Sequence, residues 1–393
     1  MIKLLTFSSL FPNPVIPHHG VFVENRLRKL IESGEVVSQV VAPVPWFPVN
    51  LPMFEEYSKF ARVPAKDTRE GIKVFYPKYL VVPKIGMNWT PDTMAKAALP
   101  VIQDIINSGY DFDILDAHYF YPDGVAAAKI AEKLNKPFTV TARGTDLNLI
   151  PQYPKPKAMI QQLAKDANHM ITVCQALKDT LVELGAENSK VTALRNGVDL
   201  DLFQPLEDRD AARKKLRIEG KTILSVGHLI ERKGHHLVIE AMQYLPDVKL
   251  LIAGQGAELK QLENLSRQKN ISDRITFLGS VPHDTLKEYY GAVDMLVLAS
   301  SREGWANVLL ESMACGTPVV ATNIWGTPEV VASDEAGVLI ERTPDAVADG
   351  VRELYEKFPN RCLTRKYAEK FSWDDTTRGQ LKIFNQILGR RAE

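Results

Sequence analysis

Short apolar runs rich in Val, Ile and Leu alternate along the chain with longer amphipathic stretches. Runs of the first kind predict strands, and stretches of the second kind predict helices. In the first half, strands are expected at 2–7, 37–42, 72–76, 113–117, 138–141, 169–173 and 190–194, with helices at 21–31, 93–106, 124–134 and 176–184. Alternation of this kind implies a parallel sheet covered on both faces. The pattern restarts with strands at 221–226, 248–253, 274–278, 295–299, 318–321 and 337–340, and helices at 258–268, 286–291 and 308–315. The run at 295–299, after Asp294, is wholly apolar, as a central strand buried on both faces requires.

The fold expected is α/β, with two Rossmann-like doubly wound domains facing each other across a cleft. The break falls near Arg195-Asn196-Gly197-Val198-Asp199, and a polar, charge-mixed stretch at 207–215 leads into the new first strand. Domains of 1–200 and 201–372 follow. A last helix is capped by Ser372, carries Asp374 and Asp375 in its first turn and runs to about Gly389. Segment 373–393 is expected to pack back on the first domain. Ligands of doubly wound sheets bind beyond the carboxyl ends of the strands. The loops there are where chemistry is sought.

Composition narrows the function. Lys and Arg number 48 against 48 Asp and Glu, so the neutral chain is not expected to bind nucleic acid by bulk phosphate neutralisation. Apolar residues at 45% and charged residues at 24% suit a folded globular protein and exclude disorder for most of the chain. No apolar run approaches the roughly 18 residues of a membrane span. The opening 1–7 reads as a buried strand rather than a signal peptide. Cys174, Cys315 and Cys362 are too few and too scattered for a disulfide framework, so a cytoplasmic location is expected.

The most informative segment runs from Ser300 to Pro318, between a buried strand and a helix. Glu303 and Glu311 stand eight residues apart, about 12 Å of rise if both were helical. That suits two ends of an extended ligand better than one metal ion. The amides of Trp305, Ala306, Asn307 and Val308 would open the helix as an anion site. An acidic first turn that only complements the helix dipole is the competing reading. A second segment, Gly227 to His236, places Arg232 and Lys233 after a strand, where they either clamp a diphosphate or belong to a solvated loop. Gly254, Gln255 and Gly256 begin like a dinucleotide fingerprint, but Leu259 replaces its third glycine.

The first half offers His118 at the end of a strand, Arg143 and Asp146 at the end of the next, and His19-Gly20 after the first. Asp111 and Asp113 have the spacing of a metal-held diphosphate site, but they lie at the amino end of their strand. His18 and His19 lack further ligand spacing, so no metal site is expected. Trp46-Phe47-Pro48 and Leu51-Pro52-Met53-Phe54 form an apolar loop. It either packs on the domain or, with Arg26, Arg28 and Lys29 of the first helix, meets a membrane surface.

Taken in order, these segments resemble the glycosyltransferase family 4 enzymes over nearly the whole chain. Glu303 and Glu311 look like that family's paired glutamates, and Ala314-Cys315-Gly316-Thr317-Pro318-Val319-Val320 and Gly326-Thr327-Pro328-Glu329 look like its continuation. The resemblance implies a GT-B fold. It also implies a nucleotide-sugar donor, UDP-linked, and transfer with retention of configuration, without metal or cofactor. It makes His118 and Glu303 catalytic, His118 near the anomeric centre and Glu303 on sugar hydroxyls. Arg232 and Lys233 would hold the diphosphate and Glu311 the ribose. Gly20, Gly227, Gly254, Gln255, Gly256, Gly304, Trp305, Ala306, Asn307 and Val308 would complete the donor site, with His19, Arg143 and Asp146 on the acceptor side. His228 stands where many members carry arginine.

Arg143 stands where a histidine is frequent, which resembles the branch that builds exopolysaccharides and cell-wall polymers. The acceptor implied is a glycan or a lipid-linked sugar, with peripheral contact at the inner face of the membrane. Three other classes stand beside this one. They are a nucleotide-sugar epimerase on the same fold, a nicotinamide-dependent oxidoreductase, which the broken fingerprint disfavours, and a non-catalytic polymer-binding subunit.

Overall fold

A computed structural model describes residues 1–47, 59–82 and 86–390. The chain divides into two compact units, Met1–Leu194 with Asp375–Glu393, and Arg195–Asp374. The turn at 195–199 goes with the second unit because it packs there. Val198 donates to the Phe371 carbonyl at 2.9 Å, and a Cβ on Gly197 would lie 2.6 Å from the Trp373 nitrogen.

The first unit holds β1 (Ile2–Phe7), β2 (Val36–Val41), β3 (Val44–Trp46), β4 (Lys66–Arg69), β5 (Ile72–Phe75), β6 (Lys78–Leu80), β7 (Ile114–His118), β8 (Phe138–Ala142), β9 (His169–Thr172) and β10 (Val191–Ala193). Eight of them form one sheet in the order β10-β9-β8-β7-β1-β2-β5-β4, while β3 and β6 pair separately. Strand order reverses between β1 and β7, which places a topological switch point at their carboxyl ends. Helix α1 (Val21–Glu32) follows β1, and α2 (Val125–Leu134) follows β7. The expectation of a purely parallel sheet fails at one edge, where β4 runs antiparallel to β5. Its sequence, Lys66-Asp67-Thr68-Arg69, has no apolar alternation, so it was invisible to a hydrophobic-pattern reading.

The second unit holds β11 (Lys221–Val226), β12 (Val248–Ala253), β13 (Ile275–Gly279), β14 (Met295–Leu298), β15 (Val319–Thr322) and β16 (Gly337–Ile340), parallel throughout, in the order β13-β12-β11-β14-β15-β16. Here the order reverses between β11 and β14. Val297, Val320, Leu250 and Ile252 of the sheet pack with Val238, Val347 and Val351 of the covering helices. Helix α3 (Asn307–Ala314) follows β14. The polar stretch near 207–215 is itself a helix, Arg209–Lys215. Asp208 caps it by accepting the Ala211 N–H at 2.8 Å.

The last helix, α4 (Trp373–Ile387), starts where expected, the Ser372 hydroxyl accepting the Asp374 N–H at 3.3 Å. Its apolar face returns to the first unit, where Leu381, Ile383 and Phe384 pack against Ile2, Leu4, Ile114 and Ile171. The basic face expected on α1 is absent as such. Arg26 is buried and donates to Gln380 at 3.1 Å, Arg28 pairs with Glu70 at 2.7 Å, and Lys29 pairs with Glu32 at 2.8 Å. Of the apolar loop, Trp46 is exposed at the end of β3, and residues 48–54 lie outside the described residues. No helix among the described residues is long and apolar enough to cross a membrane.

Phe384 is fully buried in this contact. Phe384→Ala is expected to cost roughly 3–5 kcal/mol in urea unfolding. A loss below about 1 kcal/mol would show that α4 contributes little to the first unit's core.

Candidate active site

In the second unit, the switch point brings together the loop after β11 and the loop after β14. The first carries Arg232 and Lys233 in a short turn that ends at Gly234. The second carries Glu303, which is almost wholly buried. Lys233 Nζ donates to Glu303 Oε1 at 2.6 Å, and Ser300 Oγ donates to the same oxygen at 2.7 Å. Arg232 Nη1 lies 3.8 Å from Oε2 and donates to the Arg302 carbonyl at 2.7 Å. Burial alone would push the Glu303 carboxyl up. The Lys233 ammonium, the hydrogen bonds from Lys233 and Ser300, and nearby Arg232 outweigh it, and Glu303 is held below the ordinary glutamate range. The basic pair is therefore engaged with Glu303 and is not a solvated loop. An ammonium has three donors, so Lys233 can hold Glu303 and still reach a phosphate.

Glu311 lies in the second turn of α3, whereas Glu303 sits in the loop before it, so their separation is not a helical rise. Both Glu311 oxygens are occupied, Oε1 by His283 Nε2 at 3.0 Å and Oε2 by the Tyr290 hydroxyl at 3.0 Å. Burial opposes the charge on His283, but the bond to Glu311 and its carboxylate raise the imidazole above its ordinary value. Of the amides expected at the helix mouth, that of Asn307 is taken by the Trp305 carbonyl at 3.1 Å. The Trp305 ring is buried, with the Arg195 guanidinium 5.8 Å from its centroid. His228 is exposed on the first loop.

The glycines of the two neighbouring loops serve backbone contact. Gly254 has φ of +152°, and a Cβ there would lie 1.8 Å from the Gly227 carbonyl oxygen. Leu229 donates to the Gln255 carbonyl at 2.9 Å, and a Cβ on Gly256 would meet the Leu229 carbonyl at 2.3 Å. The loops at 227–229 and 254–256 thus interlock through their main chains.

In the first unit, the switch point sets the ends of β1 and β7 side by side, with Ser8 Oγ donating to the His118 carbonyl at 3.2 Å. His118 is 1% exposed. Its Nε2 lies 3.3 Å from Asp116 Oδ2, and its Nδ1 faces an Arg143 N–H. Burial lowers the His118 pKa to about 4 against the pull of Asp116, with Arg143 adding to the lowering. The ring is neutral at ordinary pH, and a bare Nδ1 accepts from Arg143 while Nε2–H donates to Asp116.

One acceptor-side expectation, Asp146, and one donor-site expectation, Gly20, meet internal partners. Asp146 does not present its carboxylate to a ligand. It is fully buried and accepts the N–H groups of Phe120 at 2.8 Å, Gly144 at 2.7 Å and Arg143 at 3.1 Å. It fixes the turn that carries Arg143. Gly20 is indeed where two backbones approach closely, but the partner is internal. Its φ is +71°, and a Cβ would lie 2.2 Å from the Leu10 carbonyl oxygen. His19 sits half-buried beside it, its Nε2 3.1 Å from the Ser9 carbonyl oxygen.

Known proteins similar to this chain agree in class. Residues 56–202 match the family model "Glycosyltransferase Family 4", and residues 208–371 match "Glycosyl transferases group 1". TuaC of Bacillus subtilis, named as a teichuronic acid biosynthesis glycosyltransferase, is 26% identical over 356 residues, 89% of this chain and 88% of TuaC. The D-inositol 3-phosphate glycosyltransferase of Xylanimonas cellulosilytica is 27% identical over 366 residues, 86% of this chain and 88% of the relative. The chain is a glycosyltransferase of the GT-B fold. Among solved structures, sucrose-phosphate synthase from Thermosynechococcus elongatus superposes with a TM-score of 0.79 at 18% identity, covering 99% of both chains. Anabaena HepE in complex with UDP superposes with a TM-score of 0.73 at 17% identity, covering 98% of this chain and all of that one.

Several residues of this glycosyltransferase site escaped the sequence reading. Asp116, Ser300, His283 and Tyr290 bind the expected residues directly. A charged residue inside the apolar run Ile114-Leu115-Asp116-Ala117 was the one signal available for Asp116. Asp123 was also missed. It is fully buried at the start of α2 and accepts both the Ser9 N–H and the Ser9 hydroxyl, the latter at 3.0 Å. Burial pushes its carboxyl up to about 7, against the Ser9 hydrogen bonds and with Asp146 adding to the rise.

A carboxyl raised on folding favours the folded state below its unfolded pKa, and that contribution is lost as pH rises toward the folded pKa. Asp123→Asn keeps an acceptor for Ser9 and removes the titration. The stability of wild type relative to Asp123→Asn is therefore expected to fall between pH 4 and pH 8, by up to about 4 kcal/mol. Parallel pH profiles in urea unfolding would place the Asp123 carboxyl in the ordinary range.

Proposed function

We propose that this glycosyltransferase moves a hexose from a UDP-hexose to a glycan or lipid-linked acceptor. Configuration is retained, and neither a metal ion nor a cofactor is used. The observation that carries the reading is Glu303, held ionised at the mouth of α3 by Lys233 and Ser300 at the switch point of its sheet. Breaking a sugar–phosphate bond develops negative charge on the departing diphosphate and positive charge on the sugar. Lys233 and Arg232 answer the first, and the Glu303 carboxylate, beside them, orients sugar hydroxyls. Glu311, steadied by His283 and Tyr290, takes the ribose hydroxyls. The leaving phosphate accepts the proton of the attacking hydroxyl on the same face, so no protein carboxylate has to act as nucleophile.

The UDP donor is supported by the complexes of Anabaena HepE with UDP and with UDP-glucose. A polymeric or lipid-linked acceptor is supported by the teichuronic acid naming of TuaC. In this reading the enzyme is cytoplasmic, and exposed Trp46 and Leu80, paired between β3 and β6, touch the membrane surface at its inner face. With the α1 cations already engaged, that contact rests on apolar side chains rather than charge. The epimerase alternative is not favoured, since both family models and the relatives are glycosyltransferases.

Titration calorimetry with UDP in excess EDTA is expected to show binding. Absence of binding by any nucleoside diphosphate under those conditions would overturn the reading. Glu311→Gln is expected to weaken UDP binding about 10- to 100-fold, the worth of one hydrogen bond to a charged group. Glu303→Gln is expected to spare UDP affinity and to lower turnover by a similar factor. Equal loss of UDP affinity in both variants would reject the division of labour between them.

A further inference from the structure

The first unit contains a chain of buried polar groups that none of the expected roles uses. Asp116, inside β7, is 1% exposed. Its Oδ1 accepts the Thr139 hydroxyl of β8 at 2.7 Å. Its Oδ2 accepts the Gln380 amide of α4 at 3.1 Å and faces His118 Nε2 at 3.3 Å. Gln380 is likewise 1% exposed, and its amide oxygen accepts from Arg26 Nε of α1 at 3.1 Å. Arg26 also donates to the Leu194 carbonyl at 3.3 Å. Arg26 at one end can only donate and the Asp116 carboxylate at the other can only accept, so the direction of every hydrogen bond between them is determined.

That direction fixes the imidazole. Gln380 can reach Asp116 only as a donor, because its oxygen is turned to Arg26. The Asp116 carboxylate can only accept, so the His118 nitrogen facing it must carry the proton. The opposite nitrogen faces an Arg143 N–H and must be bare. A histidine has two tautomers, and the hydrogen bond at one ring nitrogen decides which is present.

We propose that Asp116 and Gln380 are positioning residues for His118, holding its imidazole in the Nε2–H tautomer with the Nδ1 lone pair turned toward Arg143. The final helix thereby supplies a group to the centre of the first unit's site, besides its packing face. Any consequence for sugar transfer rests on the placing of His118 at the reacting centre. The tautomer itself does not.

The test is NMR of full-length protein labelled with ¹⁵N-histidine at pH 7, with His118→Gln used to assign the His118 ring signals. Wild type is expected to show one protonated and one bare nitrogen, with Nε2 protonated. Asp116→Leu removes the acceptor and is expected to give a mixture of tautomers, the Nδ1–H form being reached as Arg143 turns from the ring. Asp116→Asn, whose amide oxygen can accept from both Gln380 and His118, is expected to restore the wild-type pattern. Gln380→Met is expected to shift the same ring signals in a smaller measure. Release of UDP from UDP-glucose is expected to fall about 10- to 100-fold in Asp116→Leu and to recover in Asp116→Asn.

Ring signals unchanged in Asp116→Leu would overturn the proposal. If that variant does not fold, unchanged signals in Gln380→Met would overturn it equally. A changed tautomer with unchanged UDP release would uphold the positioning and overturn instead the placing of His118 at the reacting centre.

Discussion

A carboxylate cannot be taken out of water without partners, and Asp116 stands at the middle of a parallel sheet. This constraint organises the first unit. The carboxylate draws its donors from β8, from β7 itself and from a helix at the far end of the chain. Arg26, buried on α1, supplies the compensating charge through Gln380. Burial lowers its pKa to about 10 while Asp116 opposes the lowering, so the guanidinium stays charged at ordinary pH. Five side chains from four elements must therefore arrive together. Leaving any one buried and unpaired would cost on the order of 1–3 kcal/mol, and more for the charged ones. The apolar contacts of Phe384 and Leu381 hold α4 against the sheet, and the polar chain decides its register there.

The second unit solves the same problem with a shorter circuit. Glu303 is buried and ionised because one ammonium and one hydroxyl converge on a single oxygen. Lys233 reaches it from the loop after β11 and Ser300 from the end of β14, the two strands between which the sheet order reverses. Placing charge at that edge uses what the fold already provides. Strand ends leave backbone groups without ladder partners, and the loops that follow are free of the core's demand for apolar side chains. The interlocked main chains at 227–229 and 254–256 hold those two loops together through backbone contacts that no side chain at Gly254 or Gly256 would permit.

Much of this was legible in the sequence because parallel strands buried on both faces write themselves as apolar runs. β1, β7, β11, β12 and β14 could be placed to within a residue, and with them the ends that carry His118, Lys233 and Glu303. What was not legible falls into two kinds. β4 is a charged edge strand with no pattern to detect. Gln380 lies 264 residues from Asp116, and nothing in its neighbourhood marks it as anything but a polar residue on an amphipathic helix. Burial of a polar side chain is a property of the assembled core, and spacing along the chain does not encode it. The same limit explains the misreading of Arg26 as part of a membrane-facing basic face and of Asp146 as a ligand group. Both are charged residues at plausible edges, and both are consumed by internal hydrogen bonds.

Those misreadings share a direction. In each, a charged side chain was assigned to an outside partner, a membrane surface for Arg26 and an acceptor for Asp146, when its partner was another part of the protein. The distinction matters for catalysis, because a group that is to meet a developing charge must be held still before the substrate arrives. Holding it still takes a second layer of groups with their own hydrogen bonds satisfied. Asp146 orders the turn that aims Arg143, Asp116 orders His118, and His283 with Tyr290 orders Glu311. At a buried site the second layer outnumbers the first, so a charged residue chosen there without coordinates is more often support than contact. Arg26 is support in this sense, its Nε and Nη1 both turned inward to Gln380 and the Leu194 carbonyl.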